Sequence, residues 1–158
     1  MAVSLLSFDR EAGADLLVTN PVQPDGEPTL AVPATLCRAI EARLDQLGLR
    51  AEQLEVTYEP ARSLLRVSGC AVSQDARERI LLCCGNVRGV AAVDDRMTVI
   101  MPSEVSRWRF VQPGDTLARI AKDLYRDAQR EQQLRAANQP LIGDTDELQP
   151  GWLLRVPA

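Results

Sequence analysis

The residues whose types and spacing could do chemistry are few: the adjacent acids Asp94-Asp95, the adjacent thiols Cys83-Cys84, and two glycine-containing turns, Gly85 to Val90 and Gly114-Asp115-Thr116. Two carboxylates can share general acid and base work, but neighbours at the start of a strand point to opposite faces. Cys83 and Cys84 suggest zinc, yet a structural site wants four ligands at known spacings, and the chain contains no histidine. The same absence excludes a thiolate with a histidine base and a serine-histidine-aspartate triad. No catalytic machinery is visible, and the chain is read as a binding protein rather than an enzyme. The turn Gly85-Asn86-Val87-Arg88-Gly89-Val90 has two readings: a site that aims main-chain groups, or a helix stop followed by a strand.

Composition narrows the partners. The 158 residues carry a formal net charge of -4, and no run of Lys or Arg offers a footprint for phosphate backbones, so nucleic acid is excluded as a partner. No stretch approaches the roughly 20 apolar residues that cross a bilayer. Met1 to Asp9 has no basic start and its apolar patch is interrupted at once, so no export signal is expected and the cytoplasm is the expected location. Cys37, Cys70, Cys83 and Cys84 lack the spacing of a disulfide framework, which fits buried thiols in a reducing compartment.

The elements that must position these residues form an α+β protein with two modules. Residues 1–20 are a short mixed segment, and residues 21–34, with Pro21, Pro24, Pro28 and Pro33, are a linker or arm that cannot be regular helix. Residues 35–101 read as helix, strand, strand, helix, strand. Leu36, Ile40, Leu44 and Leu47 share a helix face stopped by Gly48, and Leu54, Val56 and Tyr58 alternate with polar residues before a turn at Pro60 to Ser63. Leu65 and Val67 continue the hairpin, Ser73 caps the second helix, and Val93, Met97 and Val99 mark one side of the last strand. Residues 107–158 read as strand, helix, helix, strand. Trp108 to Val111 and Leu153 to Val156 are the strands, Leu117, Ile120, Ala121 and Leu124 line the first helix, and Asn138 closes the second. Asp115 is expected to cap the first of these helices while Gly114 makes the turn, and Trp108 and Trp152 are expected to pack in cores.

Each module matches a known pattern. The hairpin, helix and glycine-rich turn leading into Val93-Asp94-Asp95 resemble a BON domain, of order αββαβ. Residues 111–117, Ile120-Ala121, Tyr125, Asn138-Gln139-Pro140 and Leu148 to Pro157 resemble a LysM domain, of order βααβ. The pair in this order, with Phe8 and Ala12-Gly13 in the leading segment, resembles the bacterial cytoplasmic potassium-binding proteins that join BON to LysM. That resemblance implies a potassium ion held by main-chain carbonyls, here those of Asp9, Ala12 and Ala14 in the leading segment and of Gly85, Val87 and Val90 in the turn. Gly13, Gly85 and Gly89 are expected to supply the backbone freedom such a cage needs. Potassium is large and weakly hydrated, so carbonyl dipoles can replace its water, whereas calcium favours carboxylates.

The LysM resemblance also implies an alternative, binding of a peptidoglycan (N-acetylglucosamine) chain through Gly114, Asp115, Thr116, Asn138 and Pro150. A non-enzymatic assembly module with a protein partner is a further alternative. The chain departs from the families at four places. Asp9 replaces an apolar residue, Ala14 stands where glutamate is common, and the second LysM helix, around Arg130 to Leu134, lacks the usual aromatics. Arg126 stands where LysM domains commonly have glycine, so a turn needing positive φ is expected to be remodelled.

Overall fold

A computed structural model describes residues 4–16, 33–139, 141–143 and 147–157. Of the proline-rich arm, Pro21, Pro24 and Pro28 lie outside the described residues, as does Pro140.

The first module is a four-stranded sheet backed by two helices. Its strands are β1 (Ser4–Ser7), β2 (Glu52–Glu59), β3 (Leu64–Ser73) and β4 (Ala92–Met101), in the order β1-β4-β3-β2. Strand β4 runs parallel to β3 and antiparallel to β1, while β2 and β3 form the expected antiparallel hairpin. Helix α1 (Pro33–Gln46) buries Leu36, Ile40 and Leu44, and it begins inside the expected arm, because Pro33 takes the first helical position, where an N–H would have no partner. Leu47 falls beyond the helix end and is exposed, in the turn that Gly48 completes at φ +68. Ile40 and Leu44 pack with Leu65, Val67, Ile80 and Val93 into the main core.

Two features of this module were not read from the sequence. Strand β1 lies within the leading segment, and its four residues are too short to show a period of two. Helix α2 (Gln74–Gly85) has an accepted cap, Ser73 Oγ receiving the Ala76 N–H at 3.2 Å, but it is buried on several sides, including at Gln74 and Glu78. The reason is the second module, which covers the face that the sheet does not.

That module pairs β5 (Arg107–Phe110) antiparallel with β6 (Leu153–Val156), with α3 (Leu117–Tyr125) and α4 (Glu131–Ala137) between them. Val111, Leu117, Ile120, Leu134, Ile142, Leu154 and Val156 form its core. Trp152 packs on this core, whereas Trp108 packs on the first one, across the boundary. The α3 cap is Thr116, whose Oγ1 accepts the Arg119 N–H at 3.2 Å, and not Asp115 as expected. Asp115 closes the preceding turn instead, accepting from the Gln112 N–H at 2.9 Å and from Arg109 at 3.3 Å. Gly114, at φ +81, makes that turn. The turn after Tyr125 is not remodelled: Arg126 itself takes φ +61 and donates its N–H to the Lys122 carbonyl at 3.0 Å.

Candidate functional site

The leading segment is anchored by Phe8, which is buried against α2. Its ring lies on Gly85 so closely that a Cβ added there would stand 1.9 Å from Phe8 Cζ. Gly85 is therefore needed for close approach at the end of a helix and not, as the sequence suggested, for backbone freedom; its φ is not in the left-handed region. Gly13 and Gly89 do have positive φ, +102 and +96. At Gly13 a side chain is excluded twice over, since a Cβ would meet Asn86 main-chain atoms at 2.4 Å.

From Phe8 onward the segment and the turn are laced together through main-chain bonds. Phe8 N–H donates to the Ala91 carbonyl at 2.9 Å and Gly89 N–H to that of Arg10 at 2.9 Å. Ala14 N–H donates to the Asn86 carbonyl at 2.9 Å, Arg88 N–H returns the bond to the Ala14 carbonyl at 3.1 Å, and the two strands form a parallel bridge at Ala14 and Val87. The segment itself curls: Ala12 N–H meets the Asp9 carbonyl at 3.2 Å and Glu11 N–H the Asp9 carboxylate at 3.0 Å. Asp9, Ala12 and Ala14 thus sit on the curl, Val87 and Val90 in a buried turn, and Gly85 at the helix end beside it. The carbonyls of Asp9, Ala14 and Val87 each accept one N–H. A carbonyl has two lone pairs, so such a group keeps one for another partner.

Two residues outside the sequence-derived set complete this arrangement. Tyr58, on the inward face of β2, donates its hydroxyl to the Gly89 carbonyl at 2.8 Å. The signal for it was a tyrosine at an inward strand position, where a polar tip needs a partner. Asn86 follows α2 and is buried. Its Nδ2 donates to the carbonyls of Leu82 at 3.0 Å and Leu153 at 2.9 Å, and its Oδ1 accepts the Leu153 N–H at 2.8 Å. One side chain so ties the turn to strand β6 of the other module. Nothing in the spacing of the sequence identifies that pairing, which spans 67 positions.

The modules also share a buried ion network. Arg155 of β6 donates through Nε to Glu78 at 2.6 Å and to Ser106 Oγ at 3.0 Å, and through Nη1 to Asp75. Gln74 Nε2 and Ser106 N–H fill the other Glu78 oxygen at 2.8 and 2.9 Å. Burial alone would raise the Glu78 pKa, but the hydrogen bonds from Gln74, Ser106 and Arg155 outweigh it and hold the carboxyl below its ordinary range.

Other candidates are structural. Asp94 and Asp95 do point apart: Asp94 pairs with Arg66 at 2.9 Å and Arg96 at 3.0 Å, and Asp95 with Arg77 at 2.6 Å. Burial pushes the Cys83 thiol up to about 11 and raises that of Cys84 as well, so neither is a ready nucleophile. Among the described residues, no group of three His, Cys, Asp or Glu side chains could hold a metal.

The alternative glycan set is scattered in role. Asn138 is 0% exposed, and its amide is spent on the carbonyls of Leu134 and Arg155 and on the Arg155 N–H, which removes it as a ligand for a glycan. Asp115 and Thr116 are engaged in the turn and cap described above. Pro150 lines an open cleft of about 440 Å3 with Phe8, Asp9, Phe110, Gln112 and Pro113. Gly151 in the same loop, at φ +91, would place a Cβ 2.6 Å from Asp9 Oδ2, so the curl touches both modules.

This is an α+β protein of two modules that close on a leading segment. The BON-domain family model matches residues 34–101 and the LysM-domain model residues 111–157. The chain is 30% identical, over 155 residues that cover 98% of it and 99% of the relative, to the potassium binding protein Kbp of Escherichia coli O6:H1. It belongs to the family of that protein. No helix among the described residues is long and apolar enough to cross a membrane.

Proposed function

We propose that this chain is a non-enzymatic potassium-binding or potassium-sensing protein of the cytoplasm, with the ion held by carbonyls of Asp9, Ala12, Ala14, Gly85, Val87 and Val90. The observation that carries the reading is the interlock of the leading segment with the turn, through the Ala14–Val87 bridge and the Gly89 to Arg10 bond. The carbonyls of Asp9, Ala14 and Val87, each with one lone pair left beside its N–H partner, meet there, and among the described residues no carboxylate cluster stands with them, which suits a large monovalent cation better than calcium. The name of the relative supports the same ion. Because an ion that binds only the folded state stabilises it by mass action, the ion would act as a switch, docking the two modules or freeing a partner surface.

The test is thermal unfolding in potassium, sodium and caesium chloride at equal ionic strength. A melting temperature that rises with potassium supports the reading, and superimposable curves in the three salts refute it.

A second reading is glycan binding by the LysM half, favoured by the cleft between Pro113 and Pro150. Retention on insoluble peptidoglycan, lost in Pro150→Ala, would support it.

A further inference from the structure

We infer that the Tyr58 hydroxyl is a specificity-determining group for the ion: by holding the Gly89 carbonyl, it fixes which oxygens of the turn can face the cation. The inference rests on the ion reading above. Most links to the turn run from main chain to main chain: Arg88 N–H to Ala14, Gly89 N–H to Arg10, Val90 N–H to Val87 at 3.1 Å, and Ala91 N–H to Ser63 at 2.8 Å. The Gly89 carbonyl differs, because its partner is a side chain on another strand, 31 positions away.

Packing leaves that peptide to its hydrogen bonds: Gly89 has φ +96 and nothing within 4 Å of where a Cβ would stand. The plane between Gly89 and Val90 is held at two ends, by the Tyr58 hydroxyl on its carbonyl and by the Val90 N–H on the Val87 carbonyl, so without the hydroxyl one hydrogen bond is left to set its tilt. The neighbouring carbonyls, of Val87 and Val90, are two of the six ligands in the reading above. With the hydroxyl in place, the Gly89 oxygen is held toward β2 and the set facing the ion is constant. Without it, an extra carbonyl can turn in or displace a neighbour. Discrimination between potassium and sodium depends on the number and stiffness of the carbonyls around the ion, so a looser, variable set discriminates less.

Tyr58→Phe tests this cleanly, since it keeps the ring packed on the core and removes one hydroxyl. Tyr125→Phe is the matched control: its hydroxyl donates to the Pro157 carbonyl at 2.7 Å, in the other module and away from the turn. Apparent affinities for potassium and sodium are read from the rise in melting temperature on titration, with choline chloride holding ionic strength constant. The wild type favours potassium, Tyr58→Phe lowers the potassium-to-sodium ratio about five-fold, the weight of one net hydrogen bond, and Tyr125→Phe keeps the wild-type ratio. A purely structural role would lower the melting temperature equally in every salt and leave the ratio alone; that outcome, or an equal fall in both variants, overturns the role of Tyr58. A wild type indifferent to all three salts overturns the ion reading itself, and the role of Tyr58 with it.

Discussion

Gly85→Ala separates two explanations of one glycine. The added Cβ would lie 1.9, 2.1 and 2.2 Å from Phe8 Cζ, Cε1 and Cε2, where ordinary carbon contacts are about 3.5–4.0 Å. The ring cannot give by that much while it stays buried, so the substitution expels it. Losing a buried phenylalanine costs about 3–5 kcal/mol. Alanine regains up to about 1 kcal/mol of helix propensity at the end of α2, which leaves a net loss of about 2–4 kcal/mol. In a Phe8→Ala background the clash is gone and only the propensity remains, so the same substitution becomes neutral or stabilising by up to about 1 kcal/mol. Urea unfolding of the wild type, both single variants and the double variant measures a coupling of about 3 kcal/mol or more between the two positions. If Gly85 served backbone freedom instead, alanine would cost the same in both backgrounds. That additive result refutes the contact as the reason for the glycine. Because Phe8 anchors the curl, both single variants should also lose the potassium response.

Acid sensitivity follows from Glu78, whose pKa is depressed in the folded protein below an ordinary value near 4.5. Its stabilisation is fully present above that value and is lost as pH falls through the folded pKa, so Glu78→Gln should flatten the acid limb of a stability profile; an unchanged slope removes Glu78 from the account. Arg155→Met leaves the Glu78 carboxylate buried without its cation, a loss of about 3–5 kcal/mol by urea unfolding, and a loss within experimental error would show that the network carries little. Arg126→Gly relieves a left-handed residue, worth about 1–2 kcal/mol, partly offset by the extra freedom of glycine in the unfolded chain; the net gain should be about 0.5–1 kcal/mol in the same assay, and a loss would mean the arginine side chain matters at that turn.

Local elements were legible because each has a local cause. Ser73 caps α2, Gly48 ends the chain turn after α1, and the alternation around Val56 and Val67 gives the hairpin its buried face. What the sequence hides is the work of side chains on distant main chain. The Asp115 cap was misassigned because two neighbouring residues, Asp115 and Thr116, both suit a cap, and only the fold decides that Thr116 reaches the helix while Asp115 turns back to Gln112. Gly85 looked like a flexible turn residue, since its close partner Phe8 is remote in sequence. The six proposed carbonyls leave little trace of their own, and it was a resemblance, carried by the glycines and Phe8, that pointed to their location.

One link between the modules is likewise invisible locally, and the second module repeats the same device within itself. Leu153 and Arg155, two apart on β6, turn main-chain groups to one side. Asn86 satisfies those of Leu153, and Asn138 satisfies those of Arg155. Each asparagine also bonds the carbonyl four residues back in the helix that it follows. The free edge of β6 is therefore closed by two amides, one from each module, in place of a third strand. Separating the modules would exchange the Asn86–Leu153 hydrogen bonds and the Arg155 ion pairs for bonds to water, at about 0.5–1.5 kcal/mol for each neutral bond. The main chain of Asn86 is in turn held by Ala14 and crowded by Gly13. Curl, turn and strand β6 are one hydrogen-bonded unit, so a shift of the leading segment cannot leave the second module where it was.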